Sequence, residues 1–197
     1  MTFKVKDHYF KKAKKENFAA RSVYKLEEID KKYDVLKKGM IVLDLGYCPG
    51  SWTQYSSLKL GKSGKVIGID TKPVSRKIEN LQNVKAYEKD VFEVNIPQDV
   101  GVEEKFDVIL SDMAPNTTGI KDVDQARSLD LVEKIFDIIS KLLKQDGNTI
   151  IKVFDSQFAQ EFLKSQKKRF KEFHYLKPKS TRSISKEFFV IGKGFIE

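Results

Sequence analysis

Short apolar runs typical of β-strands alternate with amphipathic segments along this 197-residue chain, and this alternation constrains its fold more than any other feature. Strand-like runs lie at residues 40–45, 65–70, 84–87, 105–111, 148–154, 172–176 and 186–195. Helical patterns lie at residues 18–33, 52–60, 124–144 and 156–168. Strands that alternate with helices favour a parallel sheet covered by helices on both faces. The sequence therefore predicts one α/β domain over residues 1–197.

The composition is that of a folded globular protein, with 40% apolar and 33% charged residues. No apolar run approaches the roughly 20 residues of a membrane span, and the first residues lack the apolar core of a signal peptide. The single cysteine, Cys48, excludes an internal disulfide and is typical of a reducing compartment. We expect a cytoplasmic protein with no membrane association, or an organellar one such as a mitochondrial protein in a eukaryote.

Positive charge is concentrated in two segments of the chain. The net charge is +9 overall, but residues 1–25 carry +6 and residues 164–186 carry +8, so the remainder is acidic. A basic excess confined to two segments is the electrostatic signature of a protein that binds a polyanion such as RNA. The alternative is that lysine-rich segments only keep the protein soluble.

The segment IVLDLGYCPGSW at residues 41–52 predicts a strand, a glycine-bearing turn and the start of a helix. The turn has neither the glycine spacing of dinucleotide-binding folds nor the lysine of a phosphate-binding loop. Acids that end the next two strands, Asp70 and Asp90, suit ribose hydroxyls and an adenine amino group. We expect S-adenosylmethionine, with a nicotinamide cofactor as the alternative. Trp52 either packs in the core or, as we favour, lines the cofactor pocket.

Lys152 lies in the apolar strand NTIIKVF, where a charged side chain is unusual. Partial desolvation disfavours the charged form of a lysine, and a neutral lysine can accept a proton. Asp112 ends a neighbouring strand and is the expected partner of Lys152. The alternative is a lysine whose ammonium group simply reaches solvent at the strand end.

Six sequence blocks have the order and spacing found in the FtsJ-like ribose 2′-O-methyltransferases, and the chain resembles that family over nearly its whole length. The blocks are ARSVYKLEEID, VLDLGYCPGSW, GIDTKP, FDVILSDMAPN, IIKVF and KPKSTRSISKEFFV. The resemblance implies a Rossmann-like methyltransferase fold with a mostly parallel seven-stranded sheet and an antiparallel last strand. It also implies that residues 1–35 form a basic arm and a helix that completes the active site. The catalytic residues implied are Lys25, Asp112, Lys152 and Glu187. The cofactor contacts implied are Gly50, Trp52, Asp70, Asp90 and Asp112.

The resemblance further implies a partner and a substrate. The implied reaction is methylation of a uridine ribose in the A-loop of large-subunit ribosomal RNA, by a monomer that uses S-adenosylmethionine and no metal. The alternatives are a transfer-RNA ribose methyltransferase and a non-catalytic RNA-binding factor in ribosome assembly. Methylation of a base amino nitrogen is disfavoured, because Asp112 begins the sequence DMAP rather than an Asp-Pro-Pro-aromatic loop. Tyr47, Cys48 and Ser51 depart from the small residues that are frequent in the family's turn.

Overall fold

The computed structural model describes residues 8–115, 118–182 and 185–196. The helices are α1 His8–Lys15, α2 Val23–Tyr33, α3 Ser51–Leu60, α4 Lys121–Leu142 and α5 Gln157–Gln166. The strands are β1 Ile41–Leu45, β2 Lys65–Asp70, β3 Val84–Glu88, β4 Phe106–Ser111, β5 Leu143–Phe154, β6 Phe170–Leu176 and β7 Glu187–Phe195. Short 3-10 helices cover Val91–Glu93, Pro97–Val100 and Lys167–Arg169.

The seven strands form one sheet in the order β3-β2-β1-β4-β5-β7-β6. The pairs from β3 through β5 are parallel, whereas β7 runs antiparallel to both of its neighbours. The predicted fold class, a mostly parallel seven-stranded sheet with an antiparallel last strand, is confirmed. The strand order reverses between β1 and β4, and ligands of open α/β sheets bind at such a point, beyond the carboxyl ends of the strands.

Alternating residues of the central strands enter two separate apolar layers. Leu43 and Leu45 of β1 pack in the layer that contains α4 and α5, while Val42 packs in the layer that contains α2 and α3. This follows from the two-residue period of a strand that is covered on both faces. The parity of a residue therefore decides which layer its side chain enters.

Two predicted helix boundaries were wrong, and one helix was not predicted. The helix predicted over 18–33 begins only at Val23, because the preceding segment is held on α3, where Gln54 Oε1 accepts the backbone N–H of Ala19 at 2.7 Å. The helix predicted to residue 144 ends at Leu142, and β5 follows without a loop. The sequence also gave no indication of α1, which buries only Ala13.

Candidate active site

A cavity of about 740 Å³ lies at the carboxyl ends of β1, β2 and β4, where the strand order reverses. It is bounded by the turn after β1, the end of β2, the segment after β3, the loop after β4 and the first half of α4. Its polar lining residues include Asp70, Lys72, Asp90, Asp112, Arg127 and Asp130. A volume of this size suits a cofactor rather than a single ion or water.

The turn after β1 brings its backbone close to the cavity. Gly46 has φ +72°, and a Cβ built there would lie 2.1 Å from Cγ of Met113 in the loop after β4. Gly50 has φ +110°, caps the N-terminus of α3, and would meet Ile78 at 2.6 Å if it carried a Cβ. Both positions therefore require glycine, one for the contact between loops and one for the helix start. Gly46 lines the cavity, whereas Gly50 is not one of the lining residues.

The three unusual residues of this turn each have a structural role. Tyr47 is buried and packs on β2, where a Cβ at Gly68 would lie 2.9 Å from its ring. Cys48 lines the cavity, and burial, followed by the charge of Asp70, raises the pKa of its thiol, which disfavours a nucleophilic thiolate. Ser51 is buried, and its Oγ lies 2.9 Å from Oγ of Ser22, which joins α3 to the start of α2.

Backbone amide groups orient the carboxylates of Asp70 and Asp90. Oδ2 of Asp70 accepts the N–H of Cys48 at 3.1 Å, and Oδ1 accepts the N–H of Lys72 at 2.9 Å. Oδ1 of Asp90 accepts the N–H of Phe92 at 3.0 Å and so caps a short 3-10 helix. Both side chains line the cavity, where the sequence predicts that an adenosine binds.

Asp44, near the end of β1, is a buried acid beside these carboxylates. Its Oδ2 accepts a hydrogen bond from Thr53 Oγ1 at 2.6 Å, while Oδ1 is buried without a hydrogen-bond partner. Burial is the main cause that raises the pKa of Asp44 to about 7, and the charges of Asp112 and Asp70 raise it further against the effect of Thr53. Asp44 therefore carries a proton in a substantial fraction of molecules near neutral pH.

Two lysine–carboxylate pairs stand on one face of the sheet at its carboxyl edge. Lys152 Nζ donates to the backbone carbonyl of Asp112 and lies 3.1 Å from Oδ1 of the same residue. That Oδ1 is buried and has no aligned hydrogen bond, so the contact is electrostatic rather than a hydrogen bond. Lys25 of α2 donates to Oε1 of Glu187, the first residue of β7. The lysine and glutamate side chains of this second pair are only 13% and 11% exposed.

Strand register places the two pairs side by side. Lys152 pairs with Phe189, and Phe154 pairs with Glu187, across the antiparallel β5–β7 ladder. Residues two apart on a strand share a face, so Lys152 and Glu187 are diagonal neighbours. Phe189, which is opposite Lys152 and two residues from Glu187, has its ring centre 5.6 Å from Lys25 Nζ. The four residues predicted to be catalytic therefore cluster, and Asp112 joins the cluster to the cavity.

Trp52 lies away from the cavity lining that the sequence favoured for it. It is 2% exposed, its Nε1–H donates to the carbonyl of Ser22 at 2.9 Å, and its ring packs 5.8 Å from that of Phe189. Of the two positions that the sequence left open for Trp52, the structure therefore shows the one in the core. Trp52 supports α2 and β7, which carry Lys25 and Glu187.

Some cavity residues were missed by the sequence reasoning. Arg127 and Asp130 of α4 line the cavity, as does Phe92, which is 54% exposed. The pattern of α4 indicated only its apolar face, and no motif marked the polar residues on the other side. Their spacing of three, which places both on one side of a helix, is the only signal they carry.

The two basic segments meet on α2, although they come from opposite ends of the chain. Arg21 donates to the carbonyl of Ser180, and the N–H of Lys179 is accepted by Glu28 of α2 at 2.9 Å. Burial, followed by the nearby charge of Arg182, lowers the pKa of Arg21, as expected where two like charges are brought together. The basic surface therefore borders the helix that carries Lys25. Residues 1–7 of the predicted arm lie outside the described residues.

The described residues show neither a metal-binding cluster nor a membrane-spanning helix. No group of three or more His, Cys, Asp or Glu side chains in these ranges is placed to hold a metal ion. No helix in the described part of the chain is long and apolar enough to cross a membrane.

Comparisons with known proteins bear on the fold and the family of the chain. The family model described as FtsJ-like methyltransferase matches residues 18–195. The chain is 47% identical over 192 residues to the Ribosomal RNA large subunit methyltransferase E of Bdellovibrio bacteriovorus, covering 98% of both chains. It is 44% identical to the protein of the same name from Oleidesulfovibrio alaskensis, covering 98% of this chain and 93% of that one. A crystal structure of a ribosomal RNA methyltransferase from Plasmodium falciparum superposes with a TM-score of 0.77 at 30% identity, covering 91% of this chain and 99% of that one.

Proposed function

Because this chain belongs to the FtsJ-like methyltransferase family, we propose that it methylates a ribose 2′-hydroxyl of large-subunit ribosomal RNA, with S-adenosylmethionine as methyl donor. The observation that carries the proposal is the juxtaposition of the Lys152–Asp112 and Lys25–Glu187 pairs with the cavity. The target nucleotide we propose is the A-loop uridine.

The cavity lining fits the proposed cofactor. Asp70 and Asp90 present oriented carboxylates, which are acceptors for ribose hydroxyls and an amino group. Gly46 lets the backbone approach the ligand, and no lysine closes the turn to hold a phosphate chain. When bound, S-adenosylmethionine supplies a methyl group that is already activated by the positive charge on sulfur. The protein must therefore align the acceptor oxygen and remove its proton.

Lys152 is the proposed proton acceptor. A ribose hydroxyl is a weak acid, so its proton must be taken up as the oxygen becomes nucleophilic. Nζ of Lys152, in its neutral form, accepts that proton, and Asp112 then stabilises the resulting ammonium from 3.1 Å. Because only 9% of the Lys152 side chain is exposed, bulk water competes weakly for this position.

Lys25 and Glu187 are proposed to position the ribose. Their ion pair leaves little net charge beside Lys152, and both groups keep hydrogen-bonding capacity for a sugar hydroxyl. Arg21, Lys179 and the rest of the basic surface are proposed to hold RNA phosphates without reading sequence. The names of the relatives support ribosomal RNA as the substrate over transfer RNA.

The test is single-turnover transfer of a labelled methyl group to large ribosomal subunits from cells that lack this protein. We expect Lys152→Ala to slow transfer by roughly 10²–10⁴-fold, the usual contribution of a proton-transfer group. The matched control is Lys105→Ala, which removes an exposed lysine just before β4. Lys105 lies at the amino-terminal end of this strand, away from the carboxyl end where the site is.

Product analysis tests the acceptor. Digestion of the labelled RNA should yield 2′-O-methyluridine, located to the A-loop by sequencing. A methylated base, or faster methylation of transfer RNA than of subunits, would overturn this assignment. An equal rate for Lys152→Ala and the wild type would remove Lys152 from its role.

A further inference from the structure

A second cavity of about 540 Å³ lies between α5 and strands β6 and β7, on the face of the sheet opposite the two lysine–carboxylate pairs. Its lining residues are Asp155, Gln160, Lys164, Lys167, Tyr175 and Phe188. None of them belongs to the proposed catalytic or cofactor site. The cavity is large enough for one nucleotide or a comparable small ligand.

One wall of this cavity is aromatic and accessible. Tyr175 is 48% exposed, although its ring is held at 5.9 Å from Phe188 and edge-on at 5.5 Å from Phe173. Rings supported in this way lose little freedom when another flat group stacks on them. Exposed aromatic rings of this kind bind the bases of single-stranded RNA, because every base presents a flat face.

The rim of the cavity is basic. Lys164 and Lys167 are exposed, and neither has a carboxylate within 4 Å among the described residues. The one acid in the lining, Asp155, accepts a hydrogen bond from Nε2 of Gln160 at 2.6 Å. Two lysines without acidic partners next to an aromatic wall match the phosphate and the base of one nucleotide.

The carboxyl end of β5 and the start of β7 contribute residues to both this cavity and the cluster of predicted catalytic residues. Glu187 and Phe188 are consecutive in β7 and therefore point to opposite faces of the sheet. Asp155 is the first residue after β5 and follows Lys152 by three residues, a span of about 10 Å. An RNA strand that places a ribose at Lys152 can thus pass over the edge of the sheet and reach Tyr175.

We propose that this cavity binds a nucleotide of the substrate RNA that lies a few positions from the methylated ribose. Its base stacks on Tyr175 and its phosphate lies between Lys164 and Lys167. The inference rests on the proposed function for the identity of the strand, but its test measures binding and does not need methyl transfer.

The experiment measures binding of a fluorescein-labelled oligouridine of twelve nucleotides to the full-length protein by anisotropy. We expect Tyr175→Ala to weaken binding by about tenfold or more, as loss of one stacked base does, while Tyr175→Phe binds as the wild type does. The double variant Lys164→Ala/Lys167→Ala should bind more weakly and with a shallower dependence on salt than Lys62→Ala/Lys105→Ala, a control that loses the same two positive charges from exposed lysines. Thermal unfolding checks that each variant is folded, and a cofactor titration checks that the first cavity is intact.

The outcomes separate the possible failures. Wild-type affinity in folded Tyr175→Ala overturns the proposal, as does a lysine double variant that behaves like Lys62→Ala/Lys105→Ala. If Tyr175→Ala binds oligouridine normally but methylates ribosomal subunits poorly, the cavity contacts a protein of the subunit, and the nucleotide proposal is wrong. If the wild type methylates no RNA but the binding differences appear, the proposed function fails while the binding site stands.

Discussion

The crevice has two halves that are built in opposite ways. The cofactor half consists of Asp44, Asp70, Asp90 and the turn after β1, and two of its carboxylates are oriented by amide groups only two residues further along the chain. The acceptor half consists of the pairs Lys25–Glu187 and Lys152–Asp112, whose partners are separated by 162 and 40 residues. In the proposed function, the first half binds a small cationic nucleoside through local acids, and the second binds an RNA ribose through groups gathered from several elements. The first half depends on local turns, and the second depends on the completed sheet.

After the loss expected for Lys152→Ala, the largest effect on kcat should come from breaking the acceptor half at Lys25. Lys25→Met leaves the Glu187 carboxylate largely buried without its partner, and we expect kcat to fall by about 10²-fold because the ribose is misplaced. Stability should fall by about 2–3 kcal/mol, less than for a fully buried pair. Cofactor affinity, measured by calorimetry, should not change.

The double variant Lys25→Met/Glu187→Gln serves as the control for that change. It removes the unpaired charge, so it should recover stability but not kcat. A double variant with wild-type kcat would show that the pair only supports the fold.

The largest effect on stability, rather than on kcat, concerns the buried acid of the cofactor half. Because the pKa of Asp44 is raised to about 7 by folding, the folded state keeps a proton that the unfolded state loses, and its contribution to stability is lost as pH rises from about 4 through 7. Relative to Asp44→Asn, the wild type should lose up to about 4 kcal/mol of unfolding free energy over this range. The loss of unfolding free energy is measured by urea unfolding at about pH 4.5 and about pH 7.5, near the two ends of the range. Parallel stability curves for the two proteins would contradict the raised pKa.

Asp70 provides a test confined to cofactor binding. Asp70→Asn keeps the shape but loses the charged acceptor, so the affinity for S-adenosylmethionine should fall by roughly 10–100-fold, while oligouridine affinity stays unchanged. The matched control is Asp99→Asn, since Asp99 also accepts two backbone amides, from Asn95 and Ile96, but lies outside the cavity. Equal loss in both variants would indicate a structural role for Asp70.

The smallest effects should come from single basic residues that border the acceptor half. Alanine at Lys11, Lys12, Lys179 or Arg182 should weaken RNA binding a few-fold and lower the salt-dependence slope by about 0.7 for each lost phosphate contact. Cofactor affinity should be unaffected. Four variants with unchanged salt dependence would place the RNA elsewhere on the protein.

The same contrast explains what could be predicted from sequence. The strands, the turn after β1 and the acids of the cofactor half are local patterns, and the α/β class followed from them, whereas the antiparallel last strand was implied only by the resemblance. Helix α1 was not predicted, because this short, lysine-rich segment buries only Ala13. It is held by contacts with the next helix, such as that of Lys12 Nζ, which lies 4.3 Å from the ring centre of Tyr24. The position of Trp52 was ambiguous for the same reason, since a residue at a helix start does not reveal which helix will pack on it.

The pairing of Lys25 with Glu187 was reached through resemblance and not through spacing. No local rule joins residues 162 apart, and only the register of β5 on β7 brings Glu187 beside Lys152. Likewise, Arg127 and Asp130 enter the cavity because the polar side of α4 borders it, which periodicity alone cannot indicate.

The position of β7 between β5 and β6 has a consequence for protein synthesis. A ribosome makes Lys25 long before Glu187, and β7 must then insert between two strands that already exist. The segments of the cofactor half are made well before it, so a nascent chain has them long before it has a complete acceptor half. Prematurely terminated chains that lack β7 would therefore be inactive, and methylation would begin only after the final strand has been added to the sheet.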